Sequence, residues 1–233
     1  MEANDVLFID EIHRLPAAVE EYIYPAMEDC KIDFTLDTGM HARVVSYSLK
    51  PFTLIGATTR AGLLTGALRS RFGIVHNLRF YDVGELTDIL AQAAKKLEGV
   101  FVHRDALQTI ASRSRGTPRI ALRLLRRVRD YADVRCDGDF SGEVVNAALS
   151  LEGIDEVGMD ALDRAYMETI TNIYEGGPVG VEAVAASMGE DAGTLQDVVE
   201  PYLLQAGFLA RTRQGRQITP KGLEWLKIGK NSP

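Results

Sequence analysis

The sequence of 233 residues has little cysteine and no long apolar run. Its two cysteines, Cys30 and Cys136, lie far apart and show no metal-ligand spacing, which argues against a disulfide-stapled secreted domain and a cysteine-based metal site. No stretch approaches the roughly 20 apolar residues that span a bilayer. The first residues, Met-Glu-Ala-Asn-Asp, also lack the basic and then apolar pattern of a secretory signal. These features predict a cytoplasmic protein.

An overall excess of positive charge is lacking as well, because the formal net charge is −7. The basic residues are nevertheless clustered. Residues 113–135 contain eight arginines, and residues 211–216 contain three. A local basic patch can bind phosphate even on an acidic protein, so the net charge does not exclude a nucleic-acid partner.

The first of three blocks in the hydrophobic pattern predicts an α/β structure. Val6–Ile9 and residues 52–57 are short apolar runs bounded by polar residues, which is typical of strands buried on both faces of a parallel sheet. A helix is predicted over 15–29. Residues 31–49 alternate apolar and polar side chains around Thr38-Gly39, as a β-hairpin does.

The second and third blocks are mainly helical. From about residue 82 to 151, apolar residues recur at helical spacing and predict a small bundle. The third block covers 158–233, and its first helix ends before the breaker Gly176-Gly177-Pro178. Helices followed by a basic hairpin around Gly215 are in the order of a winged-helix domain. The three helices are predicted at about 160–174, 180–188 and 191–206.

Two adjacent carboxylates, Asp10 and Glu11, follow the first predicted strand. In P-loop ATPases, a strand of this kind delivers an aspartate to the Mg²⁺ shell at the carboxyl edge of the sheet. The glutamate after it can polarise the water that attacks the γ-phosphate. The alternative is that the pair caps the next helix, since acidic side chains favour helix N-termini.

Three further residues stand where charge or polarity can be directed at a triphosphate. Thr59 follows the second buried strand, Arg71 lies twelve residues later, and Arg119 opens a predicted helix. Arginine suits this role because its planar guanidinium binds phosphate oxygens and stays protonated.

Motifs along nearly the whole chain resemble those of the RuvB family in order and spacing. RuvB proteins are AAA+ ATPases that drive branch migration of Holliday junctions. The resemblance implies a partial AAA+ P-loop domain of α/β class over 1–78, an all-α lid domain over 79–155 and a winged-helix DNA-binding domain over 156–233. The motifs are Asp-Glu-Ile-His-Arg-Leu (10–15), Phe-Thr-Leu-Ile-Gly-Ala-Thr-Thr-Arg-Ala-Gly-Leu-Leu-Thr (52–65), Leu-Arg-Ser-Arg-Phe-Gly-Ile (68–74), Arg-Gly-Thr-Pro-Arg-Ile-Ala (115–121), Leu-Leu-Arg-Arg-Val-Arg-Asp-Tyr-Ala (124–132) and Glu-Pro-Tyr-Leu (200–203).

By this resemblance, the chain carries most of the residues of an ATP site. Asp10 and Glu11 would form the Walker B pair, with Asp10 on Mg²⁺, and Thr59 would be sensor 1. Arg71 would be the arginine finger that acts on ATP bound by an adjacent subunit, which implies a homo-hexamer. Arg119 would be sensor 2, and Tyr81 would line the nucleotide pocket. Glu28, Asp29 and Cys30 would lie near the nucleotide of a neighbouring subunit. The family has an aromatic residue where Cys30 stands.

The phosphate-binding loop Gly-x-x-x-x-Gly-Lys-Ser/Thr does not occur in these 233 residues, and the single Gly-Lys pair, Gly229-Lys230, is followed by Asn231. That loop supplies the lysine for the β- and γ-phosphates and the hydroxyl for Mg²⁺. We therefore expect the sequence to be truncated before the Walker B motif and to be inactive by itself. ATP and Mg²⁺ are expected only together with the missing segment.

The basic hairpin resembles the family's wing, whose arginines contact the DNA backbone. Arg211 and Arg216 match directly, whereas Arg213-Gln214 departs from the family's Pro-Arg order. We expect sequence-neutral, salt-dependent binding to the arms of a Holliday junction; the alternative is a solvated turn. The hairpin at 31–49 would dock on RuvA, the junction-binding partner, or would merely extend the sheet.

Three hypotheses for the function follow. The first is a hexameric ATP-driven DNA motor. The second is a non-catalytic remnant that binds DNA or joins a partner's ring, which the missing phosphate loop favours. The third is another AAA+ activity, such as clamp loading or transcription activation, against which the winged helix and the Gly-Ala-Thr-Thr-Arg run argue.

Overall fold

The computed structural model describes residues 2–35, 44–96 and 102–229. They form two compact units, Met1–Leu78 and Arg79–Pro233. None of the helices in the described ranges has the length and apolar character needed to cross a bilayer.

The first unit is an α/β structure, as predicted. The strands Val6–Ile9 and Thr53–Gly56 pair in parallel, with Val6 opposite Thr53. A second, antiparallel pair places Lys31 opposite Ser48 and confirms the predicted hairpin, whose Thr38-Gly39 turn lies outside the described residues. In chain order the elements are β1 (Val6–Ile9), α1 (Ala17–Asp29), β2 (Lys31–Thr35), β3 (Val44–Ser48), β4 (Thr53–Gly56) and α2 (Gly66–Arg71), with 3₁₀ turns at Ile12–Arg14 and Ala61–Leu63.

The parallel strands β1 and β4 are exposed, and the prediction that both of their faces are buried is wrong for this structure. Val6 is 61% and Phe8 58% exposed. Successive strand residues point to opposite faces, so a continuous apolar run needs cover on both sides. In the first unit, however, α1 packs mainly against β2 and α2.

A small interior does form beside the carboxyl ends of these strands. Ile12 and Leu68 are almost completely buried. Gly56 ends β4 against Ile12, and a Cβ at Gly56 would lie 2.9 Å from the Ile12 Cδ1 atom. This close approach fixes the turn after β1 beside the end of β4.

The second unit begins with a bundle of four helices, as the helical spacing predicts. Helix α3 starts with a capping box in which Asp82 and Glu85 bond each other's backbone N–H groups. Leu86, Leu90 and Leu124 are among the buried residues of a common apolar core. The helices are α3 (Val83–Ala94), α4 (Arg104–Ser112), α5 (Pro118–Arg135) and α6 (Gly142–Leu151).

The remaining elements have the winged-helix order. A second apolar core includes Tyr166, Ile170 and Leu203. The predicted helix over 191–206 contains a π-helical turn, Leu195–Val199, and the final helix, α11, is not among the predicted elements. The elements are α7 (Ala161–Ile173), α8 (Val181–Met188), α9 (Ala192–Thr194), α10 (Glu200–Gln205), β5 (Leu209–Thr212), β6 (Gly215–Ile218) and α11 (Pro220–Gly229).

Candidate functional site

The carboxyl ends of β1 and β4 bring three predicted site residues together. Asp10 and Glu11 follow β1, and Thr59 stands three residues after β4. The Glu11 carboxylate accepts hydrogen bonds from the Thr59 backbone N–H at 3.2 Å and from its hydroxyl at 3.0 Å. The predicted catalytic glutamate and sensor threonine are therefore in direct contact.

The environment of Glu11 favours its ionised form. The Thr59 backbone N–H lowers the pKa of the Glu11 carboxyl, against a smaller opposing effect of burial; the Thr59 hydroxyl and the charges of His13 and Arg14 lower it further. Glu11 also has a left-handed backbone conformation, with φ of 48°. An ionised carboxylate can accept a proton from water, as a general base must.

His13 is a further member of this cluster. Its ring Nδ1 lies 2.8 Å from the Thr58 hydroxyl and 3.2 Å from the Glu11 carboxylate. Its side chain is almost completely buried. His13 thus links the segment after β1 to the segment after β4.

Asp10 has a carboxylate suited to one part of a Mg²⁺ shell. It is exposed, and its carboxylate accepts a hydrogen bond from the Glu11 backbone N–H at 3.0 Å. Mg²⁺ is usually held by one or two carboxylates together with substrate phosphates and water. Within the described ranges, no group of three or more histidine, cysteine or acidic side chains could hold a metal. A single exposed carboxylate such as Asp10 is compatible with that kind of shell.

Arg71, the predicted finger, is held at the C-terminus of α2 by α1. Its Nε lies 3.0 Å from the Glu28 carboxylate, and its guanidinium lies 4.5 Å from the centre of the Tyr24 ring. The structure therefore joins two predicted residues, Arg71 and Glu28. Asp29 ends α1 and Cys30 follows it with φ of 52°, but no contact joins either side chain to Arg71 in the described part of the chain. Tyr24 is a contact that the sequence pattern does not reveal.

In the second unit, the residues predicted to be near nucleotide lie beside one loop. Tyr81 donates its backbone N–H to the Gly116 carbonyl at 2.9 Å. A Cβ at Gly116, where φ is +68°, would lie 2.7 Å from Phe80 Cβ, so this close packing requires glycine. Arg119 follows in the first turn of α5, and its side chain is exposed.

The hairpin of β5 and β6 carries the three arginines predicted to bind DNA. Arg211 and Arg216 are cross-strand partners, and both form ion pairs with the buried carboxylate of Glu200. Arg213 lies exposed in the turn, without an ion pair to any described residue. Glu200 opens the Glu-Pro-Tyr-Leu motif of the sequence, but the sequence pattern does not predict it to be a site residue.

The chain has the architecture of an AAA+ ATPase with a DNA-binding module. Its parts are a parallel strand pair in which Asp10-Glu11 follow β1, a helical lid and a winged-helix domain. Family models agree along the chain: the Holliday junction DNA helicase RuvB P-loop domain matches residues 1–78, the RuvB AAA lid domain 81–155, and the RuvB C-terminal winged helix domain 156–227. The chain belongs to the RuvB family. The fold expected from the resemblance is confirmed.

Solved structures from Thermotoga maritima are similar to nearly the whole chain. The RuvB Holliday junction branch migration motor is 51% identical, with a TM-score of 0.85, over 97% of this chain and 71% of the other. A substituted variant of that protein is 51% identical, with a TM-score of 0.87, over the same shares of the two chains.

The boundary predicted between 79–155 and 156–233 stays a prediction. The structure groups the residues on both sides of it into one compact unit, Arg79–Pro233.

Proposed function

We propose that this chain is a subunit of an ATP-driven motor that moves the arms of a Holliday junction. The observation that carries this proposal is the contact of Glu11 with Thr59, which places a carboxylate and a polar sensor side chain at one sheet edge. Membership of the RuvB family supports the DNA substrate.

The proposed ATP site uses Asp10 for Mg²⁺, Glu11 to orient and deprotonate water, and Thr59 to position Glu11. Bound MgATP supplies the phosphoanhydride bond that is cleaved. As the family resemblance implies, Tyr81 and Arg119 would contact a nucleotide. The segment Glu28, Asp29 and Cys30 would lie near the nucleotide of a neighbouring copy.

Arg71 is proposed to act on the nucleotide of the adjacent subunit in a homo-hexamer. Its contacts with Glu28 and Tyr24 support this role because they hold the guanidinium in one place before any partner arrives. A positioned cation then stabilises the charge that develops on the transferred phosphoryl group.

Mixing this chain with a full-length RuvB tests the proposed role of Arg71 as an arginine finger. A full-length RuvB whose own finger arginine has been replaced should hydrolyse ATP slowly, and adding this chain should restore its rate at least tenfold, since a finger contributes about 10³–10⁵ in rate. Arg71→Ala should abolish the rescue. Arg69→Ala removes an exposed arginine of the same helix and should rescue as the unaltered chain does. Equal rescue by both variants would exclude Arg71 as the finger.

The alternative function is a non-catalytic DNA-binding subunit or ring partner. It is favoured by the absence of Gly-x-x-x-x-Gly-Lys-Ser/Thr from these 233 residues. For this chain alone we propose that ATP hydrolysis stays at background, because these 233 residues lack the lysine with which that motif binds the β- and γ-phosphates. Hydrolysis above background that Glu11→Gln removes would disprove this proposal.

The proposed partners are DNA and a RuvA-like junction-binding protein, in the cytoplasm. Arg211, Arg213 and Arg216 would contact DNA phosphates. The hairpin β2–β3 would dock on the RuvA-like protein. Exposed Phe34, Val45 and Tyr47 support this docking, since exposed apolar patches often mark protein interfaces.

A further inference from the structure

A fully buried carboxylate lies beneath the wing. Glu200 opens α10 and has no solvent exposure. One of its oxygens accepts a hydrogen bond from the Arg216 Nε at 2.8 Å, and the other accepts bonds from the terminal nitrogens of Arg216, at 3.4 Å, and of Arg211. Two arginines opposite each other on β5 and β6 therefore converge on one buried acid.

The carboxylate accepts a further hydrogen bond from another helix. The buried Tyr166 hydroxyl of α7 donates a hydrogen bond to Glu200 at 2.8 Å. The hairpin itself is anchored by the backbone, because Val179 and Arg216 exchange two N–H···O bonds of 2.9 and 2.7 Å. Glu200 is thus bonded both to α7 and to the strands that carry the arginines.

Glu200 uses only part of each guanidinium. A guanidinium has five N–H donors in a planar fork. Arg211 gives Glu200 one terminal nitrogen and its side chain is 50% exposed, whereas Arg216 gives its Nε and one terminal nitrogen and is 15% exposed. The remaining N–H groups of both guanidiniums form no hydrogen bond to another residue in the described part of the chain.

We propose that Glu200 is a positioning residue for DNA binding. It holds the inner edges of Arg211 and Arg216 so that their remaining N–H groups are oriented toward phosphate oxygens before DNA arrives. The proposal rests on the wing as the DNA-binding element. Because the two side chains are already ordered, binding loses less conformational entropy than it would with free arginines.

The sign of the effect of Glu200→Gln tests this role. Removing a negative charge near phosphates should strengthen binding if only net charge matters, and the salt dependence should become steeper. If Glu200 orients the arginines, the variant should instead bind duplex DNA about three- to tenfold more weakly, with a shallower salt dependence. The measurement is fluorescence anisotropy of a labelled duplex, titrated at several salt concentrations with the full chain.

Glu182→Gln is the matched control, since it removes an exposed carboxylate of the same domain, on α8. It should leave the affinity unchanged or raise it slightly. Circular dichroism and thermal unfolding check that each variant is folded. If Glu200→Gln does not fold, Tyr166→Phe removes one support of the carboxylate and should weaken binding in the same direction by a smaller factor. Unchanged affinity in Tyr166→Phe would then overturn the proposal.

Arg211→Ala combined with Arg216→Ala separates this proposal from the proposed function. Unchanged affinity in this double variant would overturn both the wing as the DNA-binding element and the role of Glu200. A loss in the double variant with unchanged or tighter binding by folded Glu200→Gln would overturn the positioning role alone. Weaker DNA binding by both the double arginine variant and Glu200→Gln supports the positioning role of Glu200.

Discussion

At the scale of single residues, the chemistry of Glu11 depends on a backbone group 48 positions away. The Thr59 N–H lies three residues beyond the neighbouring strand β4, and it lowers the pKa of the Glu11 carboxyl more than any side chain does. A carboxylate that accepts hydrogen bonds has a lowered pKa because those bonds favour its ionised form. The strand pairing of β1 and β4 therefore contributes to the lowered pKa of the proposed general base.

Thr59→Val tests the side-chain part of this effect. Valine keeps the backbone N–H but removes the hydroxyl that lies 3.0 Å from Glu11. The pKa of Glu11 should rise partway toward its ordinary value, as measured by the carboxyl ¹³C shift in an NMR pH titration. Thr53→Val makes the same chemical change in β4 away from Glu11 and should have no effect. An unaltered Glu11 pKa in Thr59→Val would show that the hydroxyl does not stabilise the carboxylate.

At the scale of elements, the position of Arg71 depends on how the short helix α2 begins. The Thr65 hydroxyl accepts the N–H of Leu68 at 3.1 Å and donates to the buried carboxylate of Glu20 at 3.0 Å. Tyr24 donates to the same carboxylate at 2.6 Å and also lies under the Arg71 guanidinium. The cap of α2 is thereby linked through Glu20 to Tyr24, which contacts the predicted finger Arg71.

Thr65→Ala should destabilise the chain by about 1–2 kcal/mol, since it removes an N-cap and leaves Glu20 with one donor fewer. Thr65→Ser keeps the hydroxyl and should stay within a few tenths of a kcal/mol of the original stability. Urea unfolding followed by circular dichroism provides the measurement. Ser70→Ala, at an exposed hydroxyl of the same helix, is the control. Equal stability of the alanine and serine variants at position 65 would refute the cap.

The existence of most elements could be predicted from local patterns, whereas their burial and ion pairs could not. Helical spacing locates α3 and α5, and alternation locates the β2–β3 pair, because these signals repeat within a few residues. The exposure of β1 depends on which neighbours cover it. Glu200 lies 11 and 16 positions from its arginines and 34 from Tyr166, so its contacts leave no periodic signal in the sequence.

At the scale of the whole molecule, Arg115 connects the two parts of the second unit. It lies in the loop before α5, and its side chain is largely buried against the start of α7. The guanidinium pairs with Asp160 at 2.8 Å and Asp163 at 2.5 Å, and Nε donates to the Gly158 carbonyl at 2.7 Å. This arginine therefore joins the helical bundle to the winged-helix elements in one compact unit.

Asp163 makes this connection sensitive to pH. Burial raises the pKa of its carboxyl to about 6, although the Arg115 charge acts in the opposite direction. The pKa of this carboxyl is therefore higher in the folded than in the unfolded state. At a pH between these two values, the folded state holds a proton that the unfolded state has released. The contribution of Asp163 to stability is thus lost as pH rises through about 6. Above that pH the buried carboxylate is ionised and needs the cation.

Arg115→Met should consequently destabilise the chain by about 3–5 kcal/mol at pH 7.5, because it leaves a buried carboxylate without its cation. At pH 5 the loss should be clearly smaller, since a neutral Asp163 needs no cation. Denaturant unfolding at the two pH values measures the difference. Arg104→Met removes an exposed ion pair with Asp88 and should cost at most about 1 kcal/mol at either pH. Adding Asp163→Asn to Arg115→Met should recover much of the stability at pH 7.5 and remove most of the pH dependence. A loss that is equal at both pH values and is not relieved by the second substitution would mean that Arg115 stabilises the unit through packing alone.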